Sequence, residues 1–309
     1  MKKAFIGFLS IILCFSFLIG SNCIFANEID PSKKCSLTLT YTKENKFFPD
    51  LEIKIYRIAK LANESEFEMT EPFDAYPVKV NGITSQAEWN EVASTLRGYI
   101  DADGIIPYRV QKTDVNGKAE FKDLDAGLYL VGEVSADADS VSYVFYDSMM
   151  VLPSYDGESY TYDVDAKPKS RQSEPSKQEK TYTVLKLWKD EGNTANRPDS
   201  VTVDIIKNGR VAETIVLSPL NNWTYTFTCS DESSLSVVER NVAKEYTVKV
   251  TEKDSSFVII NTREYPQNER PANPPQTGDT FPLGFWMLML CISGLSLIVL
   301  GVIQRREKA

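Results

Sequence analysis

The chain has 309 residues, with 34 Lys and Arg against 43 Asp and Glu, a formal net charge of −9 and no histidine. An acidic balance argues against nucleic acid or anionic lipid as a partner, and the lack of histidine removes Ser–His hydrolases and histidine-bearing zinc sites. Of five cysteines, only Cys35 and Cys229 fall outside the two apolar ends of the chain, so no disulfide framework is expected.

Lys2 and Lys3 precede an uncharged apolar run over 4–20, and Ile24, Phe25 and Ala26 offer a cleavage point. Residues 1–26 are therefore expected to be a signal peptide.

Residues 32–169 are expected to form the first domain. Segments 36–41 and 51–56 alternate polar and apolar residues and predict strands, with a turn at 44–46. A turn at 113–117 leads into 119–121, and 127–131, 142–146 and 160–164 complete a β-rich set. The interruption lies at 84–100. There Ser85 and Glu88 make a capping-box pair, and Trp89, Val92, Ala93, Leu96 and Ile100 share one helical face. The expected product is an antiparallel sandwich with one inserted helix, in which Trp89 anchors the packing.

The runs at 51–57 and 113–131, in that order, resemble the N-terminal pilin and CnaB-like domains of Gram-positive surface proteins. The segment closing this domain resembles the pilin motif W-x-x-x-V-x-V-Y-P-K. Val164, Pro168 and Lys169 match it, while Tyr160, Ala166 and Lys167 depart from it. The resemblance implies that Lys169 is the amine a sortase joins to the threonine of the next pilin. The alternative is that Lys169 only opens the polar segment 170–180, which composition predicts to be an inter-domain linker.

Residues 181–262 are expected to form the second domain. Side chains alternate along a strand, so Tyr182, Val184, Lys186 and Trp188 share a face. So do Leu235, Val237 and Glu239, and so do Phe257, Ile259 and Asn261. An amine, a carboxyl and an amide thus sit on the apolar sides of three strands. Burying such groups unpaired is costly, so the three are expected to meet. Desolvation would leave Lys186 a neutral nucleophile and keep Glu239 protonated, able to polarise the Asn261 carbonyl and relay protons.

In order, 184–190, 196–203, 207–209, 222–227, 235–239 and 257–262 resemble a CnaB-type domain, an immunoglobulin-like sandwich that often carries an internal isopeptide bond. The resemblance implies a bond between Lys186 and Asn261, formed with Glu239 as catalyst. Closing 186–261 into a ring restricts the unfolded chain by roughly 4–5 kcal/mol, by analogy with a disulfide. The alternative is a buried, hydrogen-bonded ion pair without a bond. In the first domain the last strand turns Tyr162, Val164 and Ala166 inward, which offers no acceptor, so no bond is expected there.

Residues 263–273 read as an extended spacer. Pro274, Pro275, Gln276, Thr277 and Gly278 then precede an uncharged run at 281–303, long enough to span the ~30 Å hydrocarbon layer as a helix. Arg305, Arg306 and Lys308 follow, where a cytoplasmic tail is expected. Motif, span and basic tail over 274–309 resemble the LPxTG sorting signal, with Pro274 where that family usually has Leu. The resemblance implies sortase cleavage between Thr277 and Gly278 and transfer of Thr277 to a wall amine. The alternative is an ordinary membrane anchor.

The expected protein is all-β, with two immunoglobulin-like (CnaB-type) sandwiches in tandem, the first carrying a helix, and a C-terminal transmembrane helix. It is a structural protein, secreted and anchored to the cell wall, either a pilus subunit or the stalk of an adhesin. Its partners are a sortase, peptidoglycan or other pilin subunits, and host extracellular matrix, with no nucleic acid. It needs no cofactor or metal and is not an enzyme beyond its self-reaction. The rival readings are a singly anchored binding module for host matrix or glycan, and a wall-displayed enzyme.

Overall fold

Alternating burial along short polar–apolar runs dictates a mostly β structure. The computed structural model describes residues 29–30, 32–63, 66–139, 141–173, 179–192, 194–230 and 234–263. The expected signal peptide, the sorting signal and all of the spacer but Arg263 lie outside the described residues. Among the described residues no helix is long and apolar enough to cross a membrane.

The N-terminal layers contain β1 (Cys35–Thr40), β2 (Thr42–Lys43), β3 (Lys46–Phe47), β4 (Glu52–Asn63), β5 (Glu66–Met69) and α1 (Gln86–Asp103). They continue with β6 (Arg109–Lys112), β7 (Lys118–Leu124), β8 (Gly127–Val131), β9 (Val134–Ala138), β10 (Val141–Phe145) and β11 (Ser148–Leu152). The last of them are β12 (Ser154–Tyr155), β13 (Tyr160–Thr161), β14 (Asp163–Ala166) and β15 (Ser170–Ser173). One sheet runs β14-β1-β7, with β1 and β14 parallel; another runs β11-β8-β4-β5. Leu37, Leu39, Tyr41, Ile53, Ile55, Phe121 and Tyr129 fill the core between them. The 160–164 strand is split, because Tyr162 turns inward between two short pairings.

The C-terminal layers contain β16 (Glu179–Lys189), β17 (Val201–Lys207), β18 (Arg210–Leu217), β19 (Thr224–Ser230), β20 (Leu235–Arg240), β21 (Tyr246–Lys253) and β22 (Ser256–Arg263). A sheet of order β19-β16-β22-β21 faces one of order β18-β17-β20. Val184, Val203, Val237, Phe257 and Ile259 belong to the core they share. Cys35 and Cys229 are both buried free thiols.

Two features depart from the expected arrangement of two sandwiches strung on a linker. The start of the 170–180 segment is strand β15, paired antiparallel with β10 from Ser142–Ser173 to Phe145–Ser170. An edge strand needs only its backbone hydrogen bonds, so a polar composition conceals it. The second departure is α1. Its capping box, with Ser85 accepting from Glu88 and Glu88 reaching back, is present, and it ends at Gly104 in the left-handed region (φ 63°). Its buried residues include Thr95, Arg97, Gly98 and Tyr99 as well as the expected Val92, Ala93, Leu96 and Ile100, while Trp89 is half-buried. The helix is covered from two sides: it packs on β11 of its own layers and on β20 and β21 of the C-terminal ones. One core cluster accordingly joins Tyr56, Leu96 and Leu128 to Val237 and Val250. The described residues form one compact unit.

Candidate functional site

β16 and β22, the first and last C-terminal strands, lie side by side and parallel, with Lys186 opposite Ile259 and Trp188 opposite Asn261. Alternation turns Tyr182, Val184 and Lys186 inward on one, and Phe257, Ile259 and Asn261 inward on the other. β20, in the facing sheet, contributes Leu235, Val237 and Glu239. The amine, carboxyl and amide therefore converge between the sheets. Lys186, Glu239 and Asn261 are 2%, 1% and 1% exposed.

Glu239 bridges the other two. Its Oε1 accepts a 2.8 Å hydrogen bond from Asn261 Nδ2, and its Oε2 lies 3.5 Å from Lys186 Nζ. Lys186 Nζ also donates to the Leu187 carbonyl at 2.9 Å. Asn261 Oδ1 meets no donor among the described residues. Burial pulls the Lys186 amine down to about 8, against the opposing pull of Glu239. Burial likewise raises the Glu239 carboxyl above its ordinary range, although Lys186 and Asn261 both work to lower it. Each shift favours the neutral form, and an amine with a shared proton is the chemistry that amide exchange requires.

One carboxyl thus faces both nitrogens, Lys186 Nζ and Asn261 Nδ2. Polarising the carbonyl requires the Asn261 amide to turn by half a rotation, which brings Oδ1 to the Glu239 Oε1 side.

Several residues of the site were given no role in the chemistry by the sequence. Trp188 lies over the amine and meets Trp223 and Tyr246 edge-on, with ring centres 5.5 and 5.2 Å away. Asp190 is buried, accepts from Arg197 Nε and Nη2 at 2.6 Å each, and accepts from the Tyr246 hydroxyl at 3.2 Å. The Arg197 guanidinium holds its carboxyl below the usual range. Asp190 continues the alternation Lys186, Trp188, and that periodicity could have found it.

Lys169 sits elsewhere. Its side chain is exposed, its carbonyl accepts from Tyr146 N at 3.0 Å, and Pro168 before it is buried. With Lys167, Arg171 and Lys180 it lines a cleft of about 780 Å³ that also holds Glu133, Asp147 and Glu252. Pro274, Pro275, Gln276, Thr277 and Gly278 lie outside the described residues. No group of Cys, Asp or Glu among the described residues is arranged to hold a metal ion.

Residues 182–262 match the Cna protein B-type domain, so the trio lies within that match. A collagen adhesin of Staphylococcus aureus is 28% identical over 166 residues, 50% of this chain and 12% of that protein. The chain thus spans 12% of the length of that curated relative. Among solved structures, a single B repeat unit of the S. aureus collagen-binding surface protein is 17% identical. It covers 75% of this chain and 99% of its own, with a TM-score of 0.27. The full-length major pilin SpaD of Corynebacterium diphtheriae is 16% identical, covers 76% of this chain and 65% of its own, and has a TM-score of 0.31. Likenesses of that size carry no functional argument.

Proposed function

We propose that this chain is a structural surface protein of a Gram-positive cell, a pilin or an adhesin stalk, whose C-terminal sandwich cross-links itself. The carrying observation is the buried Lys186–Glu239–Asn261 trio, set on the first and last strands and the facing sheet. Lys186 Nζ attacks Asn261 Cγ, and its proton passes through the Glu239 carboxyl to Nδ2. The Cγ–Nδ2 bond breaks, ammonia leaves, and an Nζ–Cγ amide remains, with Glu239 returned to its starting state. The product fastens parallel neighbours β16 and β22 without a redox-sensitive bond.

The ends of the chain support export and covalent sorting. A signal-like start, the 274–278 motif, the apolar run and the basic tail occur in the order a sortase substrate needs. On this reading sortase joins Thr277 to peptidoglycan or to another subunit, and Lys169 is the amine offered to the next one. The likeness to a collagen adhesin favours a second reading, a singly anchored binder of host matrix.

The test is the intact mass of the purified chain. A cross-linked chain is lighter than its sequence by one ammonia, and its tryptic digest contains a branched peptide joining the Lys186 and Asn261 segments. Glu239→Ala should restore the full mass. A folded wild-type chain at full sequence mass would reduce the trio to a buried ion pair.

A further inference from the structure

β20 is an edge strand, yet Leu235, Ser236, Val237, Val238 and Glu239 are all buried. The cover comes from α1. Arg97 Nη2 donates to the Leu235 carbonyl at 2.6 Å, and the Tyr99 hydroxyl donates to the Glu239 carbonyl at 3.2 Å. Between them Gly98 lies so close that a Cβ there would stand 2.5 Å from the Val237 carbonyl oxygen. Three alternate carbonyls of the edge thus meet three successive helix residues. β21, the edge of the other sheet, is treated alike. Val250 N donates to Thr95 Oγ1 at 2.7 Å, and Val248 N donates to the Pro77 carbonyl at 2.8 Å.

Both edges on one side of the C-terminal sandwich are therefore closed by the N-terminal layers. We propose that α1 is a working part of the cross-linking centre, with Gly98 and Tyr99 as positioning residues that hold the Glu239 main chain and keep water from its carboxyl. This rests on the reading that Lys186 and Asn261 become joined.

The physical reason is the protonation state. Lys186 from β16, Asn261 from β22 and Tyr99 from α1 surround Glu239, and Asp190 and Arg197 stand beyond Lys186. Arg240, the next residue, is engaged by Asp103 and Asp204. Burial alone raises the Glu239 carboxyl against its neighbours' pull. Lifting α1 would hydrate the β20 edge and ionise that carboxyl at a lower pH. The neutral amine and protonated acid would then coexist less often.

The test refolds the freshly synthesised, unlinked full chain from denaturant in mild detergent, across a range of pH, and follows ammonia loss by intact mass. Gly98→Ala is the diagnostic variant. Alanine favours a helix over glycine, but its Cβ meets the Val237 carbonyl, so the helix should form and dock poorly. Tyr99→Phe removes one hydroxyl and leaves the packing. Tyr99→Phe should link roughly three- to ten-fold more slowly, the size of one lost hydrogen bond, and Gly98→Ala more slowly still. In Gly98→Ala the break of the rate profile set by the Glu239 carboxyl should move to lower pH, which a purely structural role would not cause. If Gly98→Ala does not fold, the Tyr99→Phe rate and pH profile decide alone. Variants linking at the wild-type rate and pH profile would overturn the role of α1 and leave the cross-link standing. A wild-type chain that loses no ammonia removes the cross-link and this role together.

Discussion

The Lys186 amine stands 4.0 Å from the centre of the Trp188 ring, two residues further along the same strand. A ring face favours the charged amine, whereas burial favours the neutral one. Burial pulls the amine down to about 8 from 10.5, against the nearby Glu239 carboxyl. Trp188 is half-buried, so it separates the amine from solvent on that side.

Trp188→Ala should therefore admit water and return the amine toward its ordinary value. Each pK unit regained removes about tenfold of the neutral amine at pH 7. Linking at neutral pH should slow by at least that factor, while Trp188→Phe should lose much less. Time courses of intact mass separate the two. Equal rates in Trp188→Ala and wild type would show that Trp188 does not exclude water from the amine.

The unlinked pair should leave a signature in stability. Asn261→Ala cannot form the bond but keeps Lys186 and Glu239 buried together. The folded carboxyl holds its proton above the ordinary 4.5, so stability is lost as pH rises from there through its raised value. The folded amine releases its proton near 8, whereas the unfolded one keeps it to 10.5, so stability returns over that upper window. Denaturant midpoints of Asn261→Ala should pass through a minimum between these windows. A maximum there would mean that the ion pair, not its desolvation, dominates.

The trio was legible in the sequence because a strand has one simple period. Once Tyr182 and Val184 are placed inside, Lys186 must follow, and the same holds for Asn261 after Phe257 and Ile259. The N-terminal boundary of α1 was legible for a similar reason: Ser85 and Glu88 satisfy each other locally. The second face of α1 was not. It rests on backbone carbonyls, which call for donors such as Arg97 and Tyr99 and for the small Gly98, and such a face carries no apolar stripe. The reading of 170–180 failed on β15 because the pairing of Tyr143 with Gln172 needs no apolar side chain on the second strand. Both misses concern backbone contacts, to which hydrophobic periodicity is blind.

Arg97 gathers carboxylates of the N-terminal layers while its guanidinium donates to the Leu235 carbonyl of β20. Its guanidinium donates to Glu133 at 2.9 Å and to Asp147 at 3.4 Å, and Asp101 stands 3.6 Å away. Burial works against its charge, but Asp147 and Glu133 outweigh that and hold it above its ordinary value. Asp147 is pushed up to about 7 by burial, even with Arg97 opposing. Arg97→Met would leave these carboxylates without their cation and should cost about 3–5 kcal/mol near neutral pH. The carboxylates can take up protons in acid, so the deficit should shrink as pH falls below 7. Thermal or denaturant unfolding of both chains across this range measures it. A deficit that does not change with pH would point to lost packing instead of lost charge.

Lys169 offers the sharpest distinction between a polymer and a single anchored molecule. Its main chain is pinned by the hydrogen bond from Tyr146 N and by buried Pro168, while its side chain is exposed. A fixed backbone bearing a free amine suits an acceptor in amide transfer, because little ordering is left to be done when the acyl-enzyme arrives. Lys167, Arg171 and Lys180 line the same cleft and serve as controls for general positive charge. In the native cell, Lys169→Ala should abolish any high-mass ladder in wall extracts and leave the monomer in the wall, whereas Lys167→Ala should keep the ladder. Thr277→Ala should remove both monomer and ladder from muramidase-released material, because the acyl donor is then lost. A ladder that survives Lys169→Ala but not Lys167→Ala would move the acceptor two residues upstream. A wild type that gives one band would leave Lys169 a surface lysine and favour the singly anchored adhesin.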